Sequence, residues 1–398
     1  MKQSVLRRRG WRIVALGFGL VALMLGAAFL ALMSWKEPTV DVPARTTASR
    51  IGAVHFGGPG MPAQALRNLL LQRVRATPAG QSIDWATYYF LDAELAQALI
   101  DASRRGVRVR LVVEGDPRFE AANGTVVAML RKDGLRGGLT VRPAASFPFQ
   151  RINGKLHAKI YAFSWPTPVA LVGSFNPSGG KGDDNAAILA EIGDQDRGHN
   201  MLVEITSAGL VDALVDHIGL LALHHGSVSR FSRENNRILR DRDTALFFYP
   251  RLHTDIVEAA LDRLGPGDHL WAAISHLKGD AVGTLEDAAE RGARIDLIVH
   301  DSERRVPQRV VDRLTKDGID IRRYRHPDGL PMHDKFFVIE NSGSWVTYFG
   351  SLNFNTNSRF LNDEVLVRST DSNLARALLR RFADLDQEVD RQTSALER

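Results

Sequence analysis

Histidine and lysine stand two residues apart twice in this chain, as His157-Ala158-Lys159 and His333-Asp334-Lys335. Each pair is followed by a Gly-Ser-x-Asn turn, Gly173-Ser174-Phe175-Asn176 and Gly350-Ser351-Leu352-Asn353, with lysine-to-glycine spacings of 14 and 15 residues. Both pairs fall in stretches that read as strands, where residues two apart share a face. The chemistry these types permit is phosphoryl transfer. Lysine is a compact cation suited to phosphate oxygens. Asparagine, serine and turn amides donate hydrogen bonds to the same oxygens. Histidine serves near neutral pH as nucleophile or general acid-base. Two histidines facing each other across a phosphate diester would divide those tasks, one attacking phosphorus and one protonating the leaving alcohol. Two lysines would neutralise the developing charge, so no metal or other cofactor is called for.

The elements that must hold these residues repeat as well. Strand signals lie at Ala53–Phe56, Ser82–Phe90, Val107–Val113, Ala170–Gly173 and Met201–Ile205, with helical periodicity over 62–75, 92–105, 123–132 and 210–223. The second half runs in the same order, with strands at Ala245–Phe248, His269–Ile274 and Arg294–Val299 and helices at 254–264, 282–291 and 307–316. Ser103-Arg104-Arg105-Gly106-Val107-Arg108-Val109 echoes Ala289-Glu290-Arg291-Gly292-Ala293-Arg294-Ile295 at an offset of 186, and His157 and His333 are 176 apart. Alternating strands and helices predict an α/β sandwich in each of two lobes, residues 51–226 and 244–398, joined by a linker over 227–243, with one active site shared between them.

Ahead of the lobes stands a different kind of segment. Lys2, Arg7, Arg8, Arg9 and Arg12 supply five positive charges, equal to the whole net charge of +5, so everything after residue 12 sums to zero. The pI near 9.5 therefore belongs to the tail, and the globular part has no bulk field to draw in nucleic acid. Residues 13–33 carry no charge and are long enough to cross a bilayer as a helix, bracketed by Trp11 and Trp35. The basic residues before it predict an N-terminus in the cytoplasm (1–12), a single transmembrane helix (13–33), a tether (34–50) and lobes on the far side of the membrane. The rival reading is a cleaved signal peptide; the length of the run and the lack of a small-x-small site before Ser34 favour an uncleaved anchor. The chain has no cysteine, which excludes disulfides, thiol catalysis and cysteine-bound metals.

The duplicated pattern resembles the phospholipase D superfamily, whose signature is His-x-Lys-x4-Asp followed by Gly-Ser-x-Asn, present twice, and within it the cardiolipin-synthase-like members. The resemblance covers residues 51–390. It implies that His157, Lys159, His333 and Lys335 are catalytic and that Ser174, Asn176, Ser351 and Asn353 bind or orient phosphate. It implies a covalent phosphohistidine resolved by water or an alcohol, with the first-motif histidine as nucleophile and the second as acid; the residues alone leave that assignment open. Glu364, in Asn362-Asp363-Glu364, matches the family's downstream Asn-x-Glu, whose carboxylate orients a catalytic histidine. The motif aspartate is Glu340 in the second copy and Ser164 in the first, and Gly198-His199-Asn200 stands where the first half should carry its orienting carboxylate. Glu191 and Glu204 are candidates to replace it. On this reading the second half is the better preserved, and the His157 side has lost both nearby carboxylates.

Other residues have plainer readings. His276 and His300 end strands in the second lobe and are expected to be ordinary strand-end histidines, though both could line the cleft. Arg322-Arg323-Tyr324-Arg325 reads as a solvated strand edge. A membrane phospholipid is the first expectation for substrate, with a nuclease of the same superfamily or a non-catalytic binding member as alternatives; nucleic acid is the weaker partner because the lobes are neutral.

Overall fold

The computed structural model describes residues 24, 36–43, 49–119, 121–135, 137–142, 154–178, 197–224 and 226–396. A short strand, β1 (Thr39–Asp41), precedes the first lobe. That lobe is a seven-stranded sheet built from β2 (Ile51–Gly57), β3 (Ser82–Thr87), β4 (Arg108–Glu114), β5 (Leu139–Arg142), β6 (Ile160–Phe163), β7 (Val169–Gly173) and β8 (Asn200–Ile205), in the order β2-β8-β7-β6-β3-β4-β5. The second lobe adds β9 (Ile238–Asp241), β10 (Thr244–Tyr249), β11 (His269–Ile274), β12 (Arg294–His300), β13 (Asp320–Tyr324), β14 (Lys335–Asn341), β15 (Ser344–Gly350) and β16 (Glu364–Ser369). Its order, β10-β16-β15-β14-β11-β12-β13, repeats the first lobe strand for strand, with β1 and β9 appended at the β10 edge. The chain is thus a mixed α/β protein of two duplicated lobes.

Three parallel strands in each lobe, β3-β4-β5 and β11-β12-β13, are reached by helical crossovers, and the rest of each duplicated sheet is antiparallel. The motif strands β6, β7, β14 and β15 sit mid-sheet, where apolar residues on both faces bury them. Two helices start at side-chain caps: the Asp92 carboxylate accepts from Leu95 N at 2.8 Å, and the Ser207 hydroxyl caps helix Ala208–Leu223. Gly106 and Gly292, the echo noted above, both adopt positive φ at helix ends.

The largest core lies between the sheets. It gathers Ile160, Val172 and Val203 from one sheet, Phe336, Phe349 and Val365 from the other, and the apolar stripes of helices Ala208–Leu223 and Ser372–Leu396. Each lobe also buries its outer helices against the far face of its own sheet. The lobes therefore share a core.

Two segments differ from expectation. Both stretches read as linkers, 34–50 and 227–243, contribute an edge strand to the second lobe: β1 pairs in parallel with β9, and β9 pairs with β10. Their β-branched and aliphatic residues, Thr39, Val40, Ile238 and Leu239, suit a sheet edge despite the polar neighbours that suggested a tether. The run 13–33 lies outside the described residues apart from Met24; among the described residues no helix is long and apolar enough to cross a membrane.

Candidate active site

The two glycines of the Gly-Ser turns explain why the motif needs them. A Cβ on Gly173 would sit 2.1 Å from Met201 O, and one on Gly350 2.2 Å from Val365 O, so only glycine lets the neighbouring strand pass. That approach puts Ser174 beside the start of β8 and Ser351 beside the start of β16. Ser174 Oγ accepts from Met201 N at 3.0 Å and donates to Asn200 Oδ1 at 3.1 Å. Ser351 Oγ accepts from Val365 N at 3.1 Å and donates to Glu364 Oε2 at 2.5 Å. Asn200 and Glu364 are structural equivalents, one amide and one carboxylate.

Each of them serves the histidine of the other lobe. Leu156 and Asp363 form an isolated parallel bridge between the lobes, with His157 N donating to Asp363 O at 2.9 Å. His199 and Met332 form its counterpart, with His333 N donating to His199 O at 2.9 Å. The crossing brings His157 Nδ1 to Glu364 Oε2 at 2.9 Å and His333 Nδ1 to Asn200 Oδ1 at 2.8 Å. This overturns the expectation that the His157 side lacks a carboxylate. It is His157 that has one, supplied across the lobe boundary, and His333 that has a neutral amide.

The polar inventory fixes the tautomers. An ionised carboxylate only accepts, so His157 donates through Nδ1–H and leaves its Nε2 lone pair free. Asn200 Nδ2 points to Gly198 O at 3.4 Å while Ser174 donates to its Oδ1, which directs the amide oxygen at His333. Burial works to raise the Glu364 carboxyl, but His157, Lys159 and Ser351 outweigh it and hold it below the usual range. Burial lowers His157 below an ordinary imidazole despite Glu364. His333, buried and facing Lys335, Arg305 and Lys159, is held far lower.

The lysines do not project along the strand face as simple point charges. Lys159 Nζ folds back to His157 O at 2.7 Å and Lys335 Nζ to His333 O at 2.9 Å. Both are buried, and burial brings Lys159 down to about 7 and Lys335 well below its ordinary value. Tyr88 packs against this pair, its ring 5.3 Å from that of His157 and 5.5 Å from Lys159 Nζ. Asn176 accepts from Tyr89 N at 3.2 Å through Oδ1, while its buried Nδ2 has no partner among the described residues; a buried side-chain oxygen of Asn353 is likewise unpaired there. Both asparagines and both histidines line one cleft of about 320 Å³ together with Tyr88, Tyr89 and His276. The unpaired Asn176 Nδ2 is a donor that a phosphate oxygen would satisfy, and the unpaired Asn353 oxygen is an acceptor for a hydroxyl or protonated oxygen beside it.

Three expected residues lie elsewhere. Glu340 stands opposite His269 and Trp345 at the far end of β14. It is five residues from Lys335, hence on the opposite strand face, and it does not reach the site. Ser164 Oγ accepts from Ser82 N and donates to Gln81 Oε1, closing a strand end. Glu204 binds His55, Arg73 and Ala53 N at the other end of β8, so it does not replace the missing carboxylate. Glu191 lies outside the described residues. His276 does line the cleft, whereas His300 is buried behind it, its Nδ1 accepting from Ser302 N. Arg322 pairs with Asp386 and Asp390 of the last helix. Arg142, unremarked in the sequence, is buried 2.6 Å from Asp363 and so fixes the peptide that carries Glu364.

Comparison with known proteins gives the family and the fold. A family model described as "Cardiolipin synthase, PLD-like domain" matches residues 74–206 and 267–385. No curated protein matches the sequence. Among solved structures, the phosphatidylserine synthase of Haemophilus influenzae superposes with a TM-score of 0.59 at 12% identity, over 84% of this chain and 86% of that one. The polyphosphate kinase of Porphyromonas gingivalis gives 0.55 at 16% identity over 84% of this chain, which spans about half (50%) of the kinase. At such identities these likenesses speak to fold alone. The matched segments take in both His-x-Lys motifs, both Gly-Ser turns, Asn200 and Glu364, and the chain belongs to the cardiolipin synthase, phospholipase D-like domain family.

Proposed function

We propose that the chain is a membrane-tethered phosphodiesterase or phosphatidyltransferase that acts on phospholipids through a phosphohistidine on His157. The observation that carries this is the His157–Glu364 contact. An imidazole that attacks phosphorus through Nε2 becomes cationic, and a buried carboxylate on Nδ1 stabilises that cation. His333, with only the Asn200 amide behind it, is less able to bear such a charge and suits proton transfer instead. As Nε2 of His157 bonds to phosphorus, the bond to the leaving oxygen breaks and that oxygen takes the proton from His333. A water or alcohol then gives its proton back to His333 and attacks phosphorus, and the P–N bond breaks. His333 must be protonated for the first step. The phosphate anion, entering beside it, supplies the negative charge that raises its proton affinity. Lys159, Lys335, Asn176 and Asn353 hold the non-bridging oxygens.

The test uses the full chain in detergent micelles with phosphatidylglycerol, phosphatidylcholine and single-stranded DNA, without added metal. Lipid headgroup release, with label trapped by an alkaline denaturing quench on wild type and none on His157→Ala, is the expected result. DNA cleavage with inert lipid, or label retained on His157→Ala, would overturn it. The apolar run 13–33 supports an uncleaved anchor, with residues 1–12 cytoplasmic and the lobes across the membrane. Because the chain has no native cysteine, Ser4→Cys and Ser302→Cys report topology directly: an impermeant maleimide on intact cells should label the second alone.

A further inference from the structure

The cleft is not symmetric, although the fold that builds it is. Leu91 N donates to Pro177 O at 3.0 Å in the first lobe, and Lys278 N to Phe354 O at 3.3 Å in the second. Pro177 follows Asn176 as Phe354 follows Asn353, so Lys278 stands where the first lobe has Leu91. By the same register His276 replaces Tyr89. Arg118 and Arg304 are equivalents, each four residues beyond the end of its strand, β4 or β12. Both walls carry an arginine, Arg118 and Arg304; the first adds two aromatics, Tyr88 and Tyr89, and a lysine, Lys155, that Asp116 engages, whereas the second adds Lys278 and no Phe, Tyr or Trp ring among the described residues.

That wall is firmly placed. Leu277 N donates to Arg305 O at 3.2 Å and Phe354 N to His276 O at 3.2 Å, tying the Lys278 loop to the Arg304 loop and to the Asn353 turn. Lys278 Nζ lies 3.4 Å from Arg304 O and has no ion pair among the described residues. Among the described residues no carboxylate lines the cleft, and Leu361 is the one aliphatic side chain there. Among the described residues this second-lobe wall has no Phe, Tyr or Trp ring to close a cage round a quaternary ammonium and little apolar surface to grip an acyl chain. It fits a second anion.

We propose that Lys278 and Arg304 form a second anion subsite, on the His333 side of the cleft, which takes a phosphate carried by the leaving alcohol. The subsite rests on the reading of His157 and His333 as a phosphodiester-transfer centre, since that reading puts the leaving group against the second lobe. Both residues are exposed loop positions outside the reacting groups, so their removal leaves the core intact.

The experiment measures binding of glycerol 1,3-bisphosphate and glycerol 3-phosphate to the full chain in micelles by calorimetry, for wild type and Lys278→Ala/Arg304→Ala. Wild type should prefer the bisphosphate by about tenfold, the size expected of roughly 1.4 kcal/mol from two partly screened cations. The double variant should bring the ratio near one with the monophosphate affinity unchanged. An equal affinity in wild type, or a preference that survives in the variant, overturns the subsite. A second arm compares turnover of phosphatidylglycerol phosphate with phosphatidylglycerol. A preference for the former that the double variant loses identifies a lipid phosphate as the occupant. If neither lipid turns over while the bisphosphate preference and its loss persist, the lipid reading fails and the subsite stands.

Discussion

Replacing Glu364 by glutamine removes one charge from the site and almost no volume. The amide oxygen still accepts from His157 Nδ1 and from Ser351 Oγ, as the carboxylate does at 2.9 and 2.5 Å. What is lost is the interaction between a carboxylate and the imidazolium that forms as His157 bonds to phosphorus. Two unit charges about 4 Å apart in a medium of effective dielectric near 20 attract by roughly 4 kcal/mol. A neutral hydrogen bond retains about 1 kcal/mol of this, leaving ~3 kcal/mol, or roughly a hundredfold in the rate of phosphohistidine formation. Single-turnover kinetics with an alkaline denaturing quench, which preserves the P–N bond, read that step directly. The expected outcome is a roughly hundredfold slower burst, KM within about threefold and an unchanged melting temperature. A burst within threefold of wild type would refute the role given to the carboxylate, and so would a loss confined to KM.

Asn200→Asp should act in the opposite sense on the other histidine: a new carboxylate raises His333, so the limb on which kcat falls with rising pH moves alkaline by about one unit, read from pH–rate profiles of the two proteins. Phosphate binding should take up protons at pH 8, because Lys159, at about 7 in the free cleft, is mostly neutral there and an anion beside it drives it back to the charged form. Calorimetry in buffers of different ionisation enthalpy should give net proton uptake at pH 8, and Lys159→Met, which has no amine to recharge, should take up fewer protons. Arg142→Met leaves Asp363 buried without its partner and should cost about 3–5 kcal/mol of stability, with Arg142→Met/Asp363→Asn costing less than the single change, as measured by urea unfolding.

Much of the fold was legible because its signals are local. Strand periodicity, the cap Asp92 and the helix-ending glycines Gly106 and Gly292 each depend on a few neighbouring residues, and the duplication repeats the pattern. The two histidines, two lysines, two serines and two asparagines could be named for the same reason. The partnership of those residues was not legible, because it joins positions 157 to 364 and 333 to 200. Spacing within a lobe suggested that each half keeps its own orienting group; the crossed bridges at Leu156–Asp363 and His199–Met332 reverse that. Asn200 was in view only as the place where a carboxylate was missing. Glu340 looked like a conservative replacement, yet five residues along a strand put it on the wrong face. The edge strands β1 and β9 were hidden by polar neighbours, since a three- or four-residue pairing leaves little periodicity to detect.

The crossed arrangement means that damage at this site is felt in the half that does not carry it. A change at Glu364 disables the histidine of the first lobe, and one at Asn200 alters the histidine of the second. The chain is built like two subunits joined end to end, with the surface between them kept as the candidate site. When two differently inactivated chains are mixed, one carrying His157→Ala and the other Glu364→Gln, neither chain by itself holds an intact first dyad. Only an exchange of whole lobes between molecules would bring an intact His157 to an intact Glu364.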